Sequence, residues 1–167
     1  MLKLLGAALV TGCFTAFGLV LVRRLDMRVR LLGELLAALR VMRDEIGFGH
    51  LPLPELLARL EADYPALSPL WTRCLTEWNP WQGKNLASCW ADGLEELELR
   101  VQEKQLLAEA GRILGRYDAQ RQAEGLGGIA ARLEFCWNGA RDERARRGRV
   151  LGGVGAICGL AVVILLL

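Results

Sequence analysis

Two long uncharged runs, one at each end of the chain, constrain its fold more than any other feature. Residues Leu4–Val22 and Val150–Leu167 contain no Asp, Glu, Lys or Arg. A helix needs about 20 apolar residues, at about 1.5 Å each, to cross the hydrocarbon layer of a bilayer. We therefore predict a transmembrane helix over residues 1–22 and a second one over residues 150–167.

Arginines crowd the inner side of both runs. They are Arg23, Arg24, Arg28 and Arg30 after the first run, and Arg141, Arg144, Arg146, Arg147 and Arg149 before the second. Positive residues remain on the cytoplasmic side of a membrane, which predicts a two-pass cell-membrane protein whose segment 23–149 faces the cytoplasm. The alternative for the first run is a cleaved signal peptide with Lys3 as its basic region. It is disfavoured because no small-residue cleavage pattern follows and the arginines resist translocation.

Charge is distributed unevenly between these flanks and the middle of the chain. The two arginine-rich flanks together carry +6, whereas residues 31–140 contain 16 acidic and 11 basic side chains. This predicts a basic zone next to anionic lipid headgroups and an acidic cytosolic surface suited to a basic protein partner. An ordinary solvated surface is the open alternative. The overall near balance favours no nucleic-acid partner.

Apolar residues between the runs recur at spacings of three and four, and no window alternates as a strand would. The pattern predicts an all-α fold, an antiparallel bundle of about six helices flanked by the two transmembrane helices. The first membrane helix is predicted to continue unbroken until Gly47 and Gly49, before Pro52 and Pro54. Asp118 is the predicted N-cap of the final helix.

Because both terminal helices enter the membrane from the same side, we expect them to be neighbours. Small residues at intervals of about four allow helix backbones to approach closely. The predicted packing residues are Ala8, Gly12, Ala16, Gly148, Gly152, Gly155 and Gly159.

The inventory of chemically reactive side chains is thin. His50 is the only histidine and is interpreted as an exposed loop residue, and the five cysteines form no C-x-x-C pair. No spacing of Cys and His suits zinc, and no phosphate-binding loop motif occurs. The sequence therefore predicts no catalytic residue, no metal, no cofactor and no small-molecule substrate. The tryptophans are interpreted as packing residues, with Trp81 the best candidate for an exposed contact.

Several stretches, in order along the chain, resemble the stage III sporulation protein AB family. They are Met1–Gly6; Leu39 followed by Glu45-Ile46 and Pro52-Leu53-Pro54-Glu55; Leu114-Gly115 with Asp118 and Gln122; and Leu151-Gly152-Gly153 with Ile164-Leu165-Leu166. The resemblance spans nearly the full length. It departs from the family at Gly47-Phe48 and in the tryptophan-rich stretch 71–93.

The resemblance implies a cytosolic domain similar to the F platform domain of type II secretion systems. It implies a non-enzymatic adaptor in the mother-cell membrane around the forespore, which helps to assemble a channel and docks a secretion-type ATPase. The residues expected to contact that partner are Glu45, Pro52, Pro54, Glu55, Gly115, Asp118 and Gln122. The alternative is that these residues are caps and turn formers. A different functional class, a pore formed by oligomerised membrane helices, is the competing hypothesis.

Overall fold

The computed structural model of the chain describes the backbone of residues 2–49, 51–78 and 84–166. It describes the side chains of residues 20–48, 51–78 and 84–148, and of residues 12, 16 and 18. The helices are α1 (Leu2–Asp44), α2 (Leu53–Asp63), α3 (Ser68–Glu77), α4 (Leu86–Glu95), α5 (Val101–Ile113) and α6 (Ala119–Leu166). A π-helical turn (Glu45–Gly49) follows α1, and a 3₁₀ turn (Pro65–Leu67) precedes α3. The predicted all-α fold is confirmed.

The first and last helices are much longer than the other four. Helix α1 runs from Leu2 to Asp44 without a break, as predicted, so the six helices include both terminal helices. Among the residues that the structure describes, no helix contains a segment that is long enough and apolar enough to cross a membrane. Most side chains of the two uncharged runs lie outside the described residues.

The chain divides into two compact units. The terminal unit comprises residues Met1–Val29 and Gly139–Leu167, and the central unit comprises Arg30–Asn138. The domain boundaries predicted at residues 22/23 and 149/150 stay a prediction.

In the terminal unit, ion pairs join α1 to α6. Arg28 donates to the carboxylate of Glu143 at 3.0 Å, and both side chains are less than one fifth exposed. Arg144 pairs with Asp26, and Arg147 lies 2.9 Å from the second oxygen of Glu143. Two carboxylates of the arginine-rich flanks are therefore used to hold the helices together.

Most of the small residues predicted to pack α1 against α6 have side chains outside the described residues. Gly12 and Ala16 are exposed and Gly148 is half-buried. The side chains of Ala8, Gly152, Gly155 and Gly159 lie outside the described residues. Direct contact between the small residues of α1 and α6 stays a prediction.

The core of the central unit is built on leucine stripes and two tryptophans. Leu32, Leu35 and Met42 on α1 are fully buried, and α2 contributes Leu56, Leu57 and Leu60. Trp71 on α3 and Trp90 on α4 pack edge to face with ring centroids 5.6 Å apart. Trp90 also donates its indole N–H to the carbonyl of Leu107 at 2.9 Å, which links α4 to α5. The interpretation of these tryptophans as packing residues is confirmed for Trp71 and Trp90, whereas Trp81 lies outside the described residues.

Glycines allow α3, α4 and α5 to approach closely. A Cβ atom on Gly93 would lie 2.8 Å from the backbone Cα of Leu70, and one on Gly111 would lie 2.7 Å from the ring of Trp90. Real Cβ atoms do not tolerate such distances, so any larger residue would force the helices apart. The two glycines therefore fix the spacing of the tryptophan core.

Candidate docking surface

Two connecting segments meet at one end of the central unit. A Cβ atom on Gly47, in the turn after α1, would lie 3.5 Å from Cβ of Ala123 on α6. A Cβ atom on Gly115, after α5, would lie 4.0 Å from a methyl group of Leu53 on α2. We call the surface formed by residues 45–48, 52–55 and 115–122 the distal loop surface. It contains all the residues predicted to contact a partner.

The segment between α1 and α2 is shaped by its prolines. Pro52 is the N-cap of α2, and its carbonyl accepts the first hydrogen bond of the helix, from Leu56 at 3.0 Å. Pro54 lies in the first turn, where a missing N–H costs nothing. Pro52, Pro54 and Glu55 are all exposed. Glu55 makes no ion pair within the described part of the chain, so its carboxylate is available to a partner.

Glu45 has an internal partner instead. Its carboxylate accepts a hydrogen bond from Arg59 on α2 at 3.0 Å, and its side chain is about one quarter exposed. This pair ties the π-helical turn to α2. Both charges lie near solvent, where such a pair adds little stability.

The connection between α5 and α6 is shaped by three of the predicted residues. Gly115 has a φ of 72°, a left-handed conformation that favours glycine, and its N–H donates to the side chain of Gln122 at 2.9 Å. Gln122 in turn donates to the carbonyl of Tyr117. Asp118 accepts from the N–H of Arg121 at 3.0 Å, which confirms it as the predicted cap of α6. Gly115, Asp118 and Gln122 are therefore turn formers, and a contact between them and a partner stays a prediction.

Sequence reasoning missed two aromatic residues on this surface. Phe48 is 88 % exposed and Tyr117 is 50 % exposed. Large aromatic side chains at an exposed surface are typical of protein contacts, because they bury much apolar area at a small cost in conformational entropy. The sequence signal for Phe48 was its position between Gly47 and Gly49 at the end of a long helical pattern.

Most of the acidic excess of the central unit lies outside the distal loop surface. The distal loop surface contains three carboxylates and two arginines, whereas residues 77–98 contain five carboxylates and one lysine. Several of these carboxylates are paired: Lys84 bridges Glu77 and Asp92, and Arg73 donates to Glu96 at 2.8 Å. The hydrogen bond from Lys84 lowers the pKa of Glu77 below its usual range. The acidic docking face expected from the sequence therefore stays a prediction for the distal loop surface, where carboxylates exceed arginines by one.

The described residues offer little for catalysis. No three of their His, Cys, Asp and Glu side chains are grouped so that they could hold a metal ion. Burial raises the pKa of Cys74 to about 12, with a smaller effect from Cys89, so its thiol stays protonated at neutral pH. Exposed aromatic, proline and carboxylate groups on one surface are suited to binding a protein.

Comparison with known proteins assigns the chain to a family. The sequence profile of stage III sporulation protein AB matches residues 3–167. The chain belongs to the stage III sporulation protein AB family. A protein of Bacillus subtilis (strain 168) named stage III sporulation protein AB is 26 % identical over 176 aligned positions, which cover all of both chains. No solved structure matches the chain.

Membership of the stage III sporulation protein AB family gives the protein a role in sporulation. The family resemblance stated from the sequence is confirmed. The match extends through both uncharged terminal runs, so the terminal unit is as much a part of the family pattern as the central unit.

Proposed function

We propose that the protein is a non-enzymatic membrane adaptor of a sporulation channel between mother cell and forespore. The terminal unit anchors the protein in the mother-cell membrane. The central unit receives a secretion-type ATPase on its distal loop surface. Family membership supports the role in sporulation, and the resemblance to the type II secretion F domain motivates the choice of an ATPase as partner.

The observation that carries this proposal is the exposure of Phe48 and Tyr117 beside the rigid Pro52 and Pro54. The ring of Phe48 is 88 % exposed, so a partner that covers it removes apolar surface from water, which stabilises the complex. Prolines lose little conformational entropy on binding, because they already hold the backbone in one conformation before the partner arrives. Glu55 adds a carboxylate without an ion pair in the described residues, which suits a basic group on the partner.

The proposed membrane anchor is supported by the exposed face of α1 next to the first uncharged run. Val20 and Met27 are about half exposed, and Arg23 and Arg24 are exposed beside them without ion pairs to described residues. Spacings of three and four place these four residues on one stripe of the helix. A stripe that alternates apolar and arginine side chains suits the boundary between acyl chains and headgroups. The arginines on both flanks support a two-pass topology with the central unit in the cytoplasm.

Site-specific photo-crosslinking in sporulating cells tests the docking. A photo-reactive amino acid is placed at position 48, 55 or 118, and at position 135 as the control. Phe135 on α6 is 82 % exposed but lies outside the distal loop surface. We expect the ATPase to be captured from positions 48 and 55 and not from position 135. Capture of lipid alone from positions 48 and 55 would contradict the adaptor.

A separate measurement tests the anchor. Protease is applied to inverted and to right-side-out membrane vesicles that contain the full chain. We expect cleavage in the central unit of inverted vesicles and protection in right-side-out vesicles. The opposite pattern, or release of the uncleaved protein by a carbonate wash, would contradict the two-pass topology.

A further inference from the structure

One exposed aromatic side chain of the central unit takes no part in the proposed docking. Phe135 on α6 is 82 % exposed. The exposed residues around it are small or polar, namely Gly128, Ala131, Arg132 and Asn138. At about 100° per residue, all four lie within about 60° of Phe135 on the helix surface. We call these five residues the α6 face.

The neighbours on the α6 face leave the ring of Phe135 uncovered. A Cβ atom on Gly128 would meet no described atom within 4 Å, apart from its chain neighbours and its own helix backbone. Ala131 carries only a methyl group. A phenylalanine ring that stands above such neighbours can bury about 150–250 Å² against a facing surface. This arrangement is typical of the central residue of a protein contact.

An ion pair lies on each side of Phe135. On one side, Arg132 donates to Glu109 of α5 at 2.8 Å. On the other side, Glu134 lies 2.9 Å from Arg40 of α1. Arg132 is about 60° from Phe135 in one direction around α6, and Glu134 is about 100° from it in the other. All four charged side chains are 43–61 % exposed, so both flanks of the α6 face reach solvent.

The charges of the two flanks match each other. Each flank carries one positive and one negative side chain, so neither attracts a strongly acidic or strongly basic partner. When two parallel α6 faces meet across a two-fold axis, the α5 side of one copy lies against the α1 side of the other. Arg132 then lies beside Glu134 of the second copy, because the two residues differ in height by only about 3 Å. The charges on each side of the contact therefore alternate in sign.

We propose that the α6 face binds a second copy of the chain, with the α6 helices parallel, the two Phe135 rings in contact, and Arg132 of each copy beside Glu134 of the other. The parallel direction rests on the proposed membrane anchor, because two copies anchored by α6 in one membrane point the same way. Antiparallel copies would instead bring Arg132 next to Glu109 of the second copy.

The proposed contact is short. Glu124 would face Glu124 of the second copy, but packed helices cross at an angle and separate away from the crossing point. We therefore expect a contact of about three turns, from Gly128 to Asn138, which is short compared with a standard interface of roughly 800 Å² per partner. Confinement of both copies to one membrane raises their effective concentration, so a weak contact is sufficient there.

Photo-crosslinking between two differently tagged copies tests the contact without the ATPase. The full chain is reconstituted in phosphatidylcholine vesicles with a photo-reactive amino acid at position 138, or at position 62 as the control, since Ala62 is exposed on α2. A carbonate wash is applied before illumination. Release of the chain by the wash would contradict the anchor and with it the parallel arrangement, whereas retained chains that give no adduct would contradict the contact alone.

We expect an adduct that carries both tags from position 138 and not from position 62. Phe135→Ala should lower its yield by about fivefold or more. Arg132→Glu and Glu134→Arg, each present in both copies, should lower the yield by about the same factor, because like charges then lie opposite each other. A mixture of one Arg132→Glu copy with one Glu134→Arg copy should restore the adduct, since opposite charges meet again on both sides.

Glu98→Arg is the matched control for Glu134→Arg. Glu98 is exposed outside the α6 face and has no ion pair with a described residue, so the variant is expected to give the wild-type yield. The charged variants should also keep the wild-type melting temperature, because exposed ion pairs add little stability. Equal adducts from positions 138 and 62, or a mixture that crosslinks no better than either single variant, would overturn the proposal. An equal loss in Glu98→Arg would also overturn it, because the effect would then be one of net charge.

Discussion

The tryptophan core of α3, α4 and α5 and the distal loop surface use aromatic residues in opposite ways. Trp71 and Trp90 are completely buried, and Gly111 leaves the space that the ring of Trp90 fills. Phe48 and Tyr117 are exposed on a surface whose backbone is held by a proline cap, a left-handed glycine and Gln122. In the core, an aromatic ring is fixed by its neighbours within the chain. At the distal end, the backbone is fixed and the rings are left uncovered.

Stability and function therefore depend on different regions of this molecule. A change in the core alters the packing of several helices at once, whereas a change of Phe48 removes atoms that few other atoms of the protein contact. Mutations in the two regions should therefore have effects of different size on unfolding.

Truncation of one aromatic residue in each region gives the largest contrast. Trp90→Ala is expected to lower the free energy of unfolding by about 3–5 kcal/mol, because it leaves a cavity and removes the indole hydrogen bond to the carbonyl of Leu107. Phe48→Ala is expected to change it by less than about 0.5 kcal/mol. Urea denaturation followed by circular dichroism measures both. Similar losses in the two variants would break the comparison.

A methyl group added to a glycine of the core gives the next largest effect. Gly93→Ala is expected to cost about 2–3 kcal/mol, because the new Cβ would lie 2.8 Å from the backbone of Leu70, which cannot rotate away. Gly128→Ala on α6 is the matched control, since no described atom beyond its chain neighbours and its own helix backbone lies within 4 Å of its Cβ position. The control is expected to be unchanged or up to about 1 kcal/mol more stable from its higher helix propensity. A neutral Gly93→Ala would show that α3 and α4 are not in close contact.

Alkaline pH probes the same core through Cys74. Burial raises its pKa from the ordinary 9.0 to about 12, so between these values the unfolded thiol has lost its proton and the folded thiol keeps it. The folded state then binds more protons, and stability falls with rising pH by about 1.4 kcal/mol per unit. In the presence of a reductant, the stability advantage of wild type over Cys74→Ala should shrink between pH 9 and 11. A constant advantage would indicate that water reaches Cys74.

The cap of α6 gives the smallest effect and separates two roles of Asp118. Asp118→Ala is expected to cost about 1 kcal/mol, because the N–H of Arg121 loses its acceptor. Asp118→Asn retains a capping oxygen and is expected to keep the wild-type melting temperature in a thermal scan. If Asp118→Asn keeps the wild-type stability but no longer binds the ATPase, the carboxylate also contacts the partner. Equal destabilisation by Ala and Asn would contradict the cap.

Much of the fold could be predicted from local patterns. The stripe of Leu56, Leu57 and Leu60 before Pro65 is typical of a short helix such as α2. Asp118 was correctly predicted to cap the start of α6. The unbroken periodicity after the first uncharged run predicted the long α1. These features depend on residues that are close together in the sequence, so one sequence is enough to predict them.

The features that depend on neighbours in space could not be predicted. The spacing of Leu94, Leu97 and Val101 is compatible with one continuous helix, yet the chain turns between Glu95 and Val101. The turn is fixed by Glu103, whose carboxylate accepts from the N–H of Arg100. Arg100 is the N-cap of α5 but is not one of the residue types that mark a helix start in a sequence. The exposure of Phe48 and Tyr117 also depends on neighbours in space. A hydropathy pattern does not show which aromatic side chains are covered by other parts of the chain.

Direct measurement of ATPase affinity tests the central claim that the distal loop surface is the docking site. The full chain in nanodiscs is titrated with the purified secretion-type ATPase, for wild type, for Phe48→Ala combined with Tyr117→Ala, and for Phe135→Ala. Loss of two aromatic contacts is expected to weaken binding by at least about 2 kcal/mol, or roughly 30-fold, while Phe135→Ala binds as wild type. Wild-type affinity in the double variant, or an equal loss in Phe135→Ala, would contradict the account.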